Sequence, residues 1–176
     1  MKEVLLMYAR YAQRADASVI ELLDKLTGKA RNEGRGSYYK SLSGLACHVA
    51  GGVCYMQGLM RASRPAAAKA LKATDGLKIP EGAKLTGAQW EELKAAWAKA
   101  NQATVDLVSA LGETDLAAPV KLDWYGGKPE SVPLCFLLHQ MYVHGTHHRG
   151  QISQILDSMG VEHDFSGIDV EFLPKA

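Results

Sequence analysis

Apolar residues recur at spacings of three and four along four separate stretches, each long enough for about six turns of helix, and this pattern leaves little room for any other architecture. The first runs from about Val4 to Leu26, with Leu5, Tyr8, Ala12, Ala15, Val19, Leu22 and Leu26 on one stripe and Gly28 as its expected stop. The second spans roughly Ser41 to Ser63, opened by a serine that can cap, with Leu45, His48, Gly52, Tyr55 and Leu59 on one face. Gly51 and Gly52 each cost about 1 kcal/mol against Ala in a helix interior, which points to a close approach by a neighbouring helix or to a site. The third has the clearest start. Thr86 and Gln89 form a capping box, Leu85 can staple onto Trp90, and Trp90, Leu93, Trp97, Ala100, Thr104, Leu107 and Leu111 follow before Gly112. The fourth begins near Pro133 and carries Leu134, Leu137, Met141, His144, His148, Ile152, Ile155 and Met159 up to Gly160.

The connections complete the expected fold. Arg64 to Lys84 is far longer than an antiparallel turn needs and starts with an Ala-rich piece suited to one short helix, so it allows a crossover with helices two and three parallel. Val120 to Val132 alternates around Gly126-Gly127 and reads as a small β-hairpin. The tail from Val161 has no period and is expected to pack over a bundle end. The prediction is an all-α four-helix bundle with a long helix 2–3 crossover and a small hairpin before helix 4, as one domain spanning residues 1–176.

Composition narrows the function classes. Twenty Lys and Arg oppose nineteen Asp and Glu, a formal charge of +1, so the clustered cationic excess of a nucleic-acid binder is missing and no anionic membrane is favoured. No apolar run reaches the 18 residues or more of a bilayer span, and the first residues do not read as a secretory signal. Three cysteines, Cys47, Cys54 and Cys135, lack a CxxC spacing and suit reduced thiols in the cytoplasm.

The histidines carry the chemistry. His144 and His148 lie one turn apart on the apolar stripe of the fourth helix, where two imidazoles can share one divalent ion at about 2.0–2.1 Å each. Hydrogen-bonded core packing is the competing reading of the pair. His48, on the inward face of the second helix beside small residues, is a core histidine if taken alone and the third ligand if the pair binds metal. Three neutral imidazoles leave coordination positions open, as catalytic sites do. His147 lies about 60° round the helix from His144, toward a neighbour or the rim of a pocket, and with His139 reads first as a surface or interface residue. His163 receives no role. Gln151 returns to the face of His148 and can orient its ring, contact substrate or sit buried as a structural amide. Arg149 flanks the stripe, suited to an acidic partner or an anionic substrate group. Asp16 and Glu21 read as solvated charges on the first helix, and Trp90 and Trp97 as core. Cys47 and His48, neighbours on a helix and so about 100° apart, do not form a nucleophile pair.

The run His144-Gly-Thr-His147-His148-Arg149-Gly150-Gln151, followed by Leu156 and Gly160, resembles the H-x-x-H-H-R-G-Q signature of the DinB-like family. Gly36-Ser-Tyr-Tyr-Lys-Ser41 leading into Leu45-Ala-Cys-His48 is similar to the approach to that family's second helix. The first helix is similar as well, with Tyr11 and Gln13 where Trp and Asn are common. The resemblance implies an up-down-down-up bundle and a divalent metal held by His48, His144 and His148, with Zn²⁺ first and Ni, Fe or Mn as alternatives. It also implies a homodimer. Relatives include thiol-dependent isomerases and S-transferases, which suggests a metal-dependent enzyme of the thiol S-transferase, isomerase or hydrolase type acting on a small molecule with a low-molecular-weight thiol or water. A non-catalytic, metal-stabilised homodimer acting in stress response through interactions is the alternative. The family name refers to DNA-damage induction of one member's expression and implies no nucleic-acid contact.

Overall fold

The computed structural model describes residues 1–122, 130–165 and 168–173. Seven helices and two strands follow in order: α1 (Lys2–Asp24), α2 (Gly28–Asn32), α3 (Leu42–Ser63), α4 (Pro65–Ala70), α5 (Gly87–Ala110), α6 (Glu113–Leu116), β1 (Pro119–Leu122), β2 (Glu130–Pro133) and α7 (Leu134–Ser158). Short 3-10 turns lie at Lys72–Thr74 and Ile168–Phe172. The four predicted stretches are α1, α3, α5 and α7.

Local chemistry explains the ends of these helices. Thr86 Oγ1 accepts from the Gln89 N–H while the Gln89 side chain accepts from the Thr86 N–H, the capping box expected from sequence. Ser41 caps α3 through the Gly44 N–H. Gly28 is not the stop of α1: that helix ends at Asp24, and Gly28 opens the short α2 behind the Thr27 cap. Arg31, folded back by α2, donates to the Leu23 and Leu26 carbonyls, a cation placed on the negative end of the α1 dipole. The fourth helix begins near Pro133 as expected, with that residue closing β2 and standing immediately before α7. At the other end of α7 the Gly160 and Val161 N–H groups bond back to Asp157 and Leu156.

Contacts along the helices set the topology. Asp16 of α1 meets Trp97 and Asn101 of α5, while Asp24 meets Trp90 and Lys94, so α1 and α5 are antiparallel. Leu5 meets Tyr142 and Asp16 meets Arg149, so α1 and α7 run parallel. His48 packs on His148 and Gly52 on His144, so α3 opposes α7. The order is up-down-down-up, with the crossover between α3 and α5 that the 64–84 segment allows. Its Ala-rich start is α4.

The core divides into two clusters. One joins Leu5, Met60, Leu107 and Leu138 with β1, and the other joins Leu23, Leu45, Trp90, Trp97 and Leu156. Trp90 and Trp97 are buried core residues, as read from the sequence. The hairpin exists as an antiparallel pair, Val120 opposite Val132, and its Gly126-Gly127 turn lies outside the described residues. The 168–172 turn packs on α1.

On α3 the observed faces differ from the expected one. Leu42, Leu45, Val49, Val53 and Met60 are buried, whereas His48, Gly52 and Tyr55 line an open cleft. This helix is apolar almost all round, so spacing alone did not distinguish the core face from the face of a pocket.

Candidate metal centre

Two helices bring the three histidines together. Because α3 and α7 are antiparallel, His48 on one faces both His144 and His148 on the next, although they are 96 and 100 residues away in sequence. The ring centroids of His48 lie 4.8 Å from His144 and 4.5 Å from His148, and the latter two rings are 4.5 Å apart. One ring nitrogen from each falls within 4.8 Å of the others. His48 Nε2 and His144 Nε2 are 2.9 Å apart. Two nitrogens bound to one ion at about 2.0–2.1 Å, at angles of 90–110°, are separated by about 2.9–3.4 Å, so this spacing suits a shared ion.

The surroundings prepare the rings for that role. His148 Nδ1 lies 2.8 Å from Gln151 Oε1; in that contact Nδ1–H donates, which leaves Nε2 free to point at the group. Tyr39 stacks on His48 at 3.9 Å and meets His148 edge-on at 5.4 Å, holding both planes. Tyr39 can sit there because Gly44 lacks a Cβ, which would collide with the Tyr39 carbonyl. Gly52 serves similarly: a Cβ there would lie 2.6 Å from His144 Cε1, so only glycine lets this ring approach α3. Gly51, its neighbour, faces open space.

Burial pushes the His48 and His144 imidazoles down to about 4, with neighbouring histidines adding to the shift, and lowers His148 as well. The rings are therefore neutral at physiological pH, as ligands must be. A stability consequence follows from the sign. Between the unfolded value near 6.5 and about 4, the unfolded chain binds protons that the folded rings refuse. Metal-free protein should lose stability as pH falls through that window, and His48→Gln should lose less. Thermal melts from pH 7 to 4.5 check this, and identical slopes for the two proteins would overturn it.

The other candidates separate clearly. Gln151 orients His148. His147 is exposed with its ring 4.8 Å from that of His148, at the rim, and His139 is exposed. Arg149 does not join the histidines. Its guanidinium is buried inside the bundle, where Nη1 contacts Asp16 Oδ1 at 2.7 Å and Nη2 donates to Thr146 Oγ1 at 3.0 Å. Asp16 is correspondingly no solvated charge: it is 2% exposed and also accepts from Trp97 and Asn101. Burial pushes its carboxyl up, and Arg149, Asn101 and Trp97 pull it back. Its position seven residues after Ala9 and three before Val19 was the available signal, since both neighbours are buried on that side of α1. Glu21 is exposed as expected. His163 binds the tail to α7 through Ser153 at 2.7 Å. Tyr39 lies in the loop before α3, within the run that resembles the family's approach to its second helix, and no spacing rule assigns a loop residue to a ring stack.

A cleft of about 960 Å³ opens beside His48 and His144. Its lining includes Gly51, Gly52 and Met56 of α3 and residues 79–83 of the crossover. Cys47 also lines it, but burial pushes its thiol up to about 11, which removes the thiolate a nucleophile pair would need. Among the described residues, the group that could hold a metal ion comprises the three histidines and no fourth His, Cys, Asp or Glu.

The model of the DinB family matches residues 1–169. The fold is also similar to the crystal structure of a DinB-like protein from Bacillus cereus ATCC 10987, at 21% identity and a TM-score of 0.51, over 86% of this chain and 91% of that one. None of the curated proteins matches. No described helix is long and apolar enough to cross a membrane.

Proposed function

The chain belongs to the DinB family, and from that premise we propose that it is a divalent-metal-dependent enzyme in which His48, His144 and His148 hold the ion. The observation that carries the reading is the convergence of three neutral imidazoles, without a fourth protein ligand among the described residues, at the edge of an open cleft. A closed structural site would have a full protein ligand set. Zn²⁺ suits three imidazoles best, with Ni, Fe or Mn as alternatives.

When bound, the ion would act as a Lewis acid and lower the pKa of a thiol or water admitted through the cleft. The chain's own part is positioning. Gln151 holds the His148 tautomer, Tyr39 fixes the plane of His48, and Gly52 admits His144. Reaction types that fit are thiol S-transfer, isomerisation and hydrolysis of a small molecule. Free Cys47, Cys54 and Cys135 support a reducing, cytoplasmic setting. Phe136 and Val143, exposed two turns apart on α7, support a homodimer, which sedimentation velocity tests.

The functional test is made on untagged protein purified without added metal, where one divalent ion per chain is expected. After exchange to Co²⁺, small thiols should introduce a thiolate-to-metal charge-transfer band that strengthens with pH as the thiol ionises. A cobalt spectrum indifferent to thiols and to small chelating anions alike would replace the enzyme reading with a closed, stabilising site.

A further inference from the structure

The wall of the cleft is a built part of the fold. The crossover is anchored at its start by Arg61, which donates to the Leu71 carbonyl and Thr74 Oγ1 and pairs with Asp75 at 3.0 Å. At its far end Ser41 donates to the Ala83 carbonyl, and the Asn32 amide bonds both the N–H and the carbonyl of Leu85. Between these anchors Leu77, Ile79 and Pro80 line the cleft together with Met56 and Cys54 of α3. These residues give the cleft an apolar stretch of wall, and His48 and His144 line the same cleft.

The histidines add the charge of any ion they hold. Three neutral imidazoles contribute no negative charge, so an ion they hold keeps both of its positive charges for whatever enters. Of the charged side chains on the lining, Lys40 and Glu81 are of opposite sign and offset each other.

From this juxtaposition we propose that the cleft binds amphiphilic small molecules with one anionic donor head, directed to the ion between His48 and His144, and an unbranched or flat apolar body lying between α3 and the 77–80 segment. The inference rests on the metal-site reading and adds the substrate class to it. The volume is at the upper end for a small-molecule site, enough for a body of eight or more carbons in addition to the head. A strongly polar body would lose its water against Leu77, Ile79 and Met56 without regaining hydrogen bonds there.

Alkylhydroxamic acids of two to eight carbons supply the probe, titrated into the Co²⁺-loaded full chain and followed by the visible cobalt spectrum and by calorimetry. Acetohydroxamate reports the ion alone. Lengthening the chain is expected to tighten binding by up to about fourfold per methylene, with an increasingly negative heat-capacity change. Two variants locate the body. Gly51→Phe projects a ring into open space in the cleft, and Ile79→Ser removes apolar wall from the crossover; each should flatten the chain-length gradient. If acetohydroxamate binds but longer chains bind no tighter, the substrate class is overturned while the metal site stands. A gradient unchanged in both variants overturns the location. No spectral response to acetohydroxamate overturns the open coordination position on which the proposed function rests, and this inference with it.

Discussion

His144→Ala protein should purify almost without metal, with the affinity of the wild-type chain reduced well beyond 100-fold. In the proposed site His144 supplies one of three ligand nitrogens, its Nε2 lies 2.9 Å from that of His48, and α3 is already shaped around its ring at Gly52. Gln151→Ala should have a graded effect, because the amide touches only Nδ1 of His148 at 2.8 Å. Loss of such an outer partner costs roughly 10–100-fold in affinity. His147→Ala, at the exposed rim, should leave affinity close to wild type. Competitive titration with a chromophoric chelator gives the order of the three. Full occupancy in both His144→Ala and His148→Ala would remove the site as described.

Asp16→Ala should be among the most destabilising single substitutions outside the proposed metal centre. It leaves the Arg149 guanidinium buried with its charge uncompensated, and it strips the acceptor from Trp97 Nε1 and Asn101 Nδ2. Breaking a buried pair by removing one partner costs about 3–5 kcal/mol. For a chain of this size that is a fall of roughly 6–20 °C in melting temperature. The double variant Asp16→Leu with Arg149→Met should recover part of the loss, since neither charge then remains buried. Thermal melts of Asp16→Leu, Arg149→Met and the double close the cycle, and additive losses would refute the coupling. Because Arg149 follows His148 directly on α7, metal titration of the same proteins measures how far this pair also sets the rotation of the helix that carries two of the histidines.

The legibility of these two features differs for a physical reason. His144 and His148 are four residues apart on one helix, so a single local rule puts them on one face. The capping box at Thr86, the Ser41 cap and the long crossover are local signals too, and each is where the sequence suggested it. His48 needed more, because its meeting with the pair depends on α3 and α7 packing antiparallel. The family resemblance supplied it, whereas spacing left it open between core and ligand.

Sequence periodicity by itself determined four long helices, a small β-hairpin and two histidines in register, because helix formation and amphipathic stripes are properties of neighbouring residues. Tertiary structure alone decided which side of α3 is core and which is cleft. It also paired Arg149 with Asp16 across 133 residues and laid Tyr39 over His48. A charge on a helix reads as solvated until a partner from another element desolvates it, and an apolar helix has no preferred face until its neighbours choose one. Both outcomes are set by packing between segments distant in the chain: spacing places Asp16 on the inward side of α1 but does not name its partner.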